Sequence, residues 1–153
     1  MTGPKLTRTR RHLSHWDLPG STYFITFRVM SGQMTGPERK LVLDHINSGD
    51  EKFYQLIAVV VMPDHVHLIF RPRAGFTLPR AMKGIKGVSA KLVNESRSTL
   101  GTFWQDEYHD RILRSEEEMI EKARYVLENP LRAGLIQARE QYPYLIDNLS
   151  REA

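Results

Sequence analysis

Two histidines separated by one residue are the first candidates for chemistry in this sequence. His65, Val66 and His67 lie in a run that predicts a β-strand, and because side chains alternate along a strand, both imidazoles should point to the same face. Two ring nitrogens on one face could bind one metal ion, although two half-exposed histidines without a ligand fit the same pattern. The chain has no cysteine, so any metal must be held by His, Asp, Glu, Asn or Gln.

A tyrosine on a predicted helix supplies a candidate nucleophile. The helix predicted over residues 115–129 has an apolar stripe that excludes Tyr125, so Tyr125 should point away from the core. Asn129 follows one turn later on the same side of the helix. The stripe comprises Met119, Ile120, Ala123, Val126 and Leu127. With a metal ion to polarise a phosphate, this set predicts phosphodiester cleavage through a covalent phosphotyrosine; an ordinary surface tyrosine is the alternative, and the sequence shows no general base.

Positive charge is concentrated in two segments of a chain whose net charge is only +4. Residues 1–28 carry five basic side chains and one acidic one, and residues 71–97 carry seven basic side chains and one glutamate. Such segments suit a polyanion, because each Lys or Arg that meets a phosphate releases condensed counterions; a solvated basic surface is the alternative. The candidate DNA-binding residues are Arg8, Arg10, Arg11, Trp16, Lys83 and Lys86.

The elements that must position these residues alternate between strands and helices. Strands are predicted over residues 22–29, 53–61 and 65–70, helices over about 35–47, 78–97 and 115–129, and a short strand at the end of 102–113. This order predicts an α+β sandwich, in which one central antiparallel sheet has helices packed on one face.

The sequence also predicts how the chain is divided. Residues 1–20 are predicted to form a basic N-terminal arm, residues 21–140 a single domain, and residues 141–153 a C-terminal tail. No apolar run approaches the roughly 18 residues that span a bilayer. We therefore expect a soluble cytoplasmic protein.

Two stretches resemble a known family. The stretch Val60–Phe70, VVMPDHVHLIF, is similar to the segment of HUH single-tyrosine transposases in which two histidines flank a hydrophobic residue. The stretch Arg124–Leu135, RYVLENPLRAGL, resembles the tyrosine helix of the REP-associated branch of that superfamily. The resemblance extends over about residues 8–137 and implies that residues 21–140 form a ferredoxin-like domain of this type.

The resemblance also implies a reaction and a ligand set. It implies that His65 and His67 bind a divalent metal ion, Mg²⁺ or Mn²⁺, with Asn129 as third ligand, and that Tyr125 is the nucleophile. Alternatives for the third ligand are Asp64, Gln105 and Glu128. The implied substrate is hairpin-forming single-stranded DNA, cleaved to leave a 5′-phosphotyrosine and a free 3′-OH, with the basic N-terminal arm contacting bases beside the hairpin.

Two other functions fit parts of the pattern. A non-catalytic module that binds single-stranded nucleic acid would use the basic segments but would leave the pairing of Tyr125 with the histidines unexplained. A metal-dependent phosphodiesterase with a water nucleophile would need His65 and His67 but would tolerate Tyr125→Phe. The sequence is compatible with a monomer or a homodimer, and with a mobile or a domesticated protein.

Overall fold

The computed structural model describes residues 7–8, 20–138 and 141–152. The strands are β1 (Thr7–Arg8), β2 (Thr22–Arg28), β3 (Tyr54–Val61), β4 (His65–Pro72), β5 (His109–Leu113) and β6 (Leu145–Asp147). The helices are α1 (Gly36–Ser48), α2 (Leu78–Arg97), α3 (Glu116–Leu127) and the single turn α4 (Asn129–Arg132), and a 3₁₀ turn, Leu149–Glu152, follows β6. None of the described helices is long and apolar enough to cross a membrane.

All neighbouring strands of the described sheet are antiparallel, in the order β1-β5-β2-β4-β3-β6. Its central part is built from β2, α1, β3, β4, α2 and β5 in chain order, with β2 and β4 in the middle. This is the ferredoxin-like arrangement, and it confirms the predicted α+β class. The strand expected within residues 102–113 is β5.

Helices cover both faces of the sheet, so the prediction that they pack on one face is wrong. One apolar cluster joins α1 and α2 to the side chains of β2 at Tyr23, Ile25 and Phe27. A second cluster joins α3 to the opposite face at Ile57 and Ile69. The physical reason lies in β3 and β4, which are apolar at nearly every position and must be covered on both sides.

Local residues set both ends of α3. The Oγ atom of Ser115 accepts a hydrogen bond from the Glu118 N–H at 3.0 Å, which caps the start of the helix. The Glu118 side chain accepts in turn from the N–H of Arg114, the residue before the cap, at 2.7 Å. The helix ends before Pro130, whose ring disfavours helical geometry in the preceding residue.

The segment predicted as a C-terminal tail contributes a strand to the sheet. β6 pairs with β3 from Val60↔Leu145 to Ala58↔Asp147. The Tyr142 hydroxyl donates to the carbonyl of Val61 at 2.5 Å. The expected boundary at 140/141 therefore does not separate this segment from the sheet. A three-residue strand that follows Pro143 closely has too short a pattern to be predicted from sequence.

Candidate active site

Strand β4 presents the two histidines on the face of the sheet that α3 covers. The ring centroids of His65 and His67 are 4.7 Å apart, while Val66 is buried on the other face. On the neighbouring strand β2, Thr26 lies opposite His67 and Arg28 opposite His65. The alternation predicted from the sequence thus brings both imidazoles together.

Each histidine is oriented by an oxygen atom at its Nδ1. His65 Nδ1 lies 2.7 Å from Asp64 Oδ1, and His67 Nδ1 lies 2.8 Å from Thr26 Oγ1. These contacts leave Nε2 of each ring as the ligating atom for a metal ion. Within residues 20–138 and 141–152, no three His, Asp or Glu side chains cluster as a metal site, so this donor set fits a metal only with a further ligand such as an amide or water oxygen.

The surroundings of His67 keep its imidazole neutral. Burial lowers the pKa of His67 to about 3, and the electrostatic influence of the neighbouring His65, Arg28, Arg132 and Lys122 side chains acts in the same direction. A neutral imidazole is the form that binds metal ions. The positive charges of Arg28 and Lys122 would also attract a phosphate.

Tyr125 lies beside this histidine on the outer face of α3. Its ring centroid is 6.1 Å from that of His67, and its side chain is 46% exposed. Two cations contact the ring: Lys122 Nζ is 5.1 Å and the Arg132 guanidinium carbon 4.1 Å from its centroid. The structure thus places Tyr125 away from the core and next to the histidine pair.

A cleft of about 350 Å³ opens between α3, β2 and β5 in front of His67. Aromatic, hydroxyl and cationic side chains dominate its wall. The lining residues are Phe24, Thr26, Arg28, His67, His109, Asp110, Arg111, Lys122 and Tyr125. Arg111 is paired with Glu118 at 2.8 Å, whereas Arg28 and Lys122 form no ion pair with any other residue that the structure describes. These two cations are therefore the best placed to meet an anion in the cleft.

Sequence reasoning missed these cleft cations. Arg28 shares the strand face of Phe24 and Thr26, and Lys122 precedes Tyr125 by three residues on the same helix, so both have a periodic signal. The signal becomes specific only once β2 is known to pair with β4. Arg132 has no such signal, because it reaches Tyr125 from the turn after α3.

Asn129, the predicted third metal ligand, does not lie in the cleft in front of His67. Asn129 is half-buried at the start of α4, and neither it nor His65 lines the cleft. Of the alternatives, Asp64 contacts His65, Gln105 donates to the carbonyl of Val29 at 3.3 Å, and Glu128 is exposed at the end of α3.

Of the DNA-binding residues predicted from sequence, the two whose side chains the structure describes, Lys83 and Lys86, do not line this cleft. The side chain of Arg8, together with Arg10, Arg11 and Trp16, lies outside the described residues. Lys83 and Lys86 belong to α2, on the opposite face of the sheet from the histidines. Lys83 is exposed, whereas the ammonium group of Lys86 donates to the carbonyls of Gln105 and Asp106 at 2.7 and 3.1 Å.

The chain is similar to known proteins in sequence and in fold. The sequence model of the family described as "Transposase IS200 like" matches residues 33–129. The structure of a REP-associated tyrosine transposase bound to a REP hairpin is 19% identical, with a TM-score of 0.71, 88% of this chain covered and 81% of that one. A Deinococcus radiodurans protein provisionally described as a transposase is 20% identical, with a TM-score of 0.48 and coverages of 76% and 92%. No curated protein sequence matches the chain.

Proposed function

The chain belongs to the IS200-like transposase family, and from this premise we propose that it cleaves and rejoins single-stranded DNA through Tyr125. The observation that carries the proposal is the approach of the Tyr125 ring to within 6.1 Å of the His67 ring at the mouth of a cationic cleft. A phenol, two oriented imidazoles and lysine and arginine side chains in one cleft are the groups that a phosphodiester strand transfer needs.

Each side chain has a distinct role in this proposal. Lys122 and Arg28 bind the phosphate and orient it in the cleft. The phenolic oxygen of Tyr125 gives up its proton and forms a bond to phosphorus, while the bond from phosphorus to the 3′ oxygen breaks. That oxygen takes up a proton, so one part of the strand leaves with a free 3′-OH and the other stays on Tyr125. The covalent 5′-phosphotyrosine conserves the bond energy for rejoining when a 3′-OH attacks it.

The histidine pair holds a divalent metal ion in this proposal. His65 and His67 supply Nε2 atoms, and Asp64 and Thr26 fix the two ring orientations through Nδ1. Asn129 is the proposed third ligand. When bound, Mg²⁺ or Mn²⁺ polarises the phosphate and neutralises part of the charge that develops during attack.

Hairpin-forming repeats are the proposed substrate. The structurally similar REP-associated transposase is bound to a REP hairpin. In this chain the basic residues Arg8, Arg10 and Arg11, with Trp16, are proposed to contact the DNA beside the hairpin, and the cleft takes the unpaired strand. Lys83 and Lys86 remain predicted phosphate contacts for the other face.

The test compares wild-type protein with Tyr125→Phe on labelled single-stranded hairpin DNAs in Mg²⁺ or Mn²⁺. Tyr144→Phe is the matched control, because Tyr144 packs against Tyr142 and Arg39 and lies outside the cleft. We expect wild type and Tyr144→Phe, but not Tyr125→Phe, to give a protease-sensitive covalent adduct on a denaturing gel. Cleavage by Tyr125→Phe would indicate a water nucleophile, and retention of DNA without cleavage by any variant would indicate a binding module.

A further inference from the structure

The turn that follows α3 places the side chain of Arg132 against α3. Pro130 is buried, and its carbonyl accepts the N–H of Leu135 at 2.9 Å. The carbonyl of Asn129 accepts the N–H of Ala133 at 2.9 Å, and Gly134 takes the left-handed conformation that favours glycine, with φ of 76°. This closed turn fixes where the α4 side chains can reach.

Arg132, on α4, makes two different contacts with Tyr125. Its guanidinium lies over the phenol ring, with 4.1 Å between the guanidinium carbon and the ring centroid. Its Nη2 atom donates to the main-chain carbonyl of Tyr125 at 2.5 Å. Carbonyls in the last turn of a helix lack helical partners and carry partial negative charge, so a guanidinium is favoured there. One side chain thereby ties both the main chain and the ring of Tyr125 to α4.

The contacts of Arg132 affect the reaction proposed for Tyr125 because Tyr125 is a surface residue whose ring needs to be held in place. Nearly half of its side chain is exposed, and exposed side chains exchange rotamers within nanoseconds. An attacking oxygen must instead be held about 3 Å from phosphorus and in line with the leaving group. Lys122 and His67 also contact the ring, but Lys122 has its ammonium equally close to the Phe24 ring, at 5.1 Å.

We propose that Arg132 is a positioning residue that holds the phenol of Tyr125 at the histidine pair. The inference rests on the function proposed for Tyr125, and it gives a physical role to the turn that follows the tyrosine helix. Arg132 acts through Tyr125, so its loss should slow the attack more than it weakens DNA binding.

The kinetic test uses Arg132→Ala with Arg124→Ala as the matched control. Arg124 is exposed on the same helix next to Tyr125, so its substitution removes the same charge without removing the ring contact. With hairpin DNA in Mg²⁺ or Mn²⁺, we expect Arg132→Ala to slow single-turnover adduct formation ~10-fold or more. The Kd for the DNA should stay within about twofold of that of Arg124→Ala. Arg132→Lys keeps the charge but lacks the planar group that stacks, so it should restore only part of the rate.

A second measurement follows the ring itself and needs no activity. The ring resonances of Tyr125 in a ¹³C–¹H spectrum are assigned by their loss in Tyr125→Phe, and Arg132→Ala should shift them while Arg124→Ala should not. The proposal would be overturned if Arg132→Ala left the Tyr125 ring signal unmoved and changed the Kd and its salt dependence as much as the rate. That result would show that Arg132 contacts the phosphate directly. If wild type forms no adduct, the proposed function fails, and the ring signal still decides whether Arg132 orders Tyr125.

Discussion

Thr26 shows how one hydroxyl group can control a candidate metal ligand. It is buried on β2 directly opposite His67, and its Oγ1 atom holds the Nδ1 of that ring at 2.8 Å. Groups that orient a ligating histidine fix its tautomer, and their loss typically costs 10- to 100-fold in metal affinity.

Replacing Thr26 by valine tests this contact. Thr26→Val keeps the branched shape that suits a strand and removes the hydroxyl, so we expect Mn²⁺ to bind roughly 10-fold or more weakly in a calorimetric titration. Thr26→Ser keeps the hydroxyl and should retain most of the affinity. Equal affinities for the valine and serine variants would show that the hydroxyl does not support a metal site.

At this scale, the sequence predicted the residues whose signals are local. His65 and His67 share a strand face and Tyr125 avoids the apolar stripe of its helix, and both patterns can be read within a few residues. Thr26 and Arg28 meet the histidines only because β2 pairs with β4 in one register, and about 40 positions of sequence separate each of them from its partner. Local periodicity carries no such information.

Among the elements, α1 and α2 are joined by a charged contact that their periodicity does not reveal. Arg97, in the last turn of α2, donates from Nε and Nη2 to the Glu38 carboxylate at 2.7 and 2.9 Å. The same carboxylate accepts the Thr35 N–H at the start of α1. The hydrogen bond from Arg97, opposed by burial and aided by the bond from Thr35, lowers the pKa of Glu38 to about 2.

This shift predicts a stability that depends on pH. Because the folded-state pKa of Glu38 lies below its ordinary value of 4.5, its contribution is complete above about pH 5 and is lost as the pH falls toward 2. After allowing for solvent screening at Arg97, we expect Glu38→Gln to lower the free energy of unfolding by about 1–2 kcal/mol at pH 7. Urea unfolding should show that gap narrowing below about pH 4.5, whereas the exposed control Glu95→Gln should show no such gap. A gap that persists unchanged at about pH 2.5 would contradict the assignment.

The long elements were predicted within one or two residues because their signals are strong. Thr35 and Ser115 cap helices, and the apolar runs of β3 and β4 mark buried strands. The prediction that the helices pack on one face of the sheet was wrong, although β3 is apolar at nearly every position and needs cover on both faces. Assigning a helix to a face requires knowing which way each connection crosses the sheet, and that is a property of the whole topology.

For the molecule as a whole, residues 141–152 complete the sheet on the side of β3. Besides the β6 pairing, the Asn148 N–H donates to the Ile57 carbonyl at 2.9 Å. The 3₁₀ turn adds charged contacts to the body: Arg151 lies 3.0 Å from Asp50 and 3.2 Å from Glu51, and Glu152 lies 3.3 Å from Arg71. The sequence pattern set this segment apart as a tail, yet it covers an edge that would otherwise present unpaired N–H and C=O groups.

Two truncations separate these contributions. Removing residues 141–153 uncovers the edge of β3 and takes away Tyr142, Leu145 and Ile146 from the core, so we expect a loss of at least ~3 kcal/mol. In a chain of this size, that loss lowers the Tm by roughly 10 °C, and the exposed edge favours association. Removing only residues 149–153 leaves β6 in place and should cost about 1 kcal/mol, because it removes partly exposed ion pairs and little apolar area. Thermal unfolding by circular dichroism and size-exclusion chromatography measure both effects. Equal melting temperatures for the two truncations would show that β6 adds nothing to the stability of the sheet.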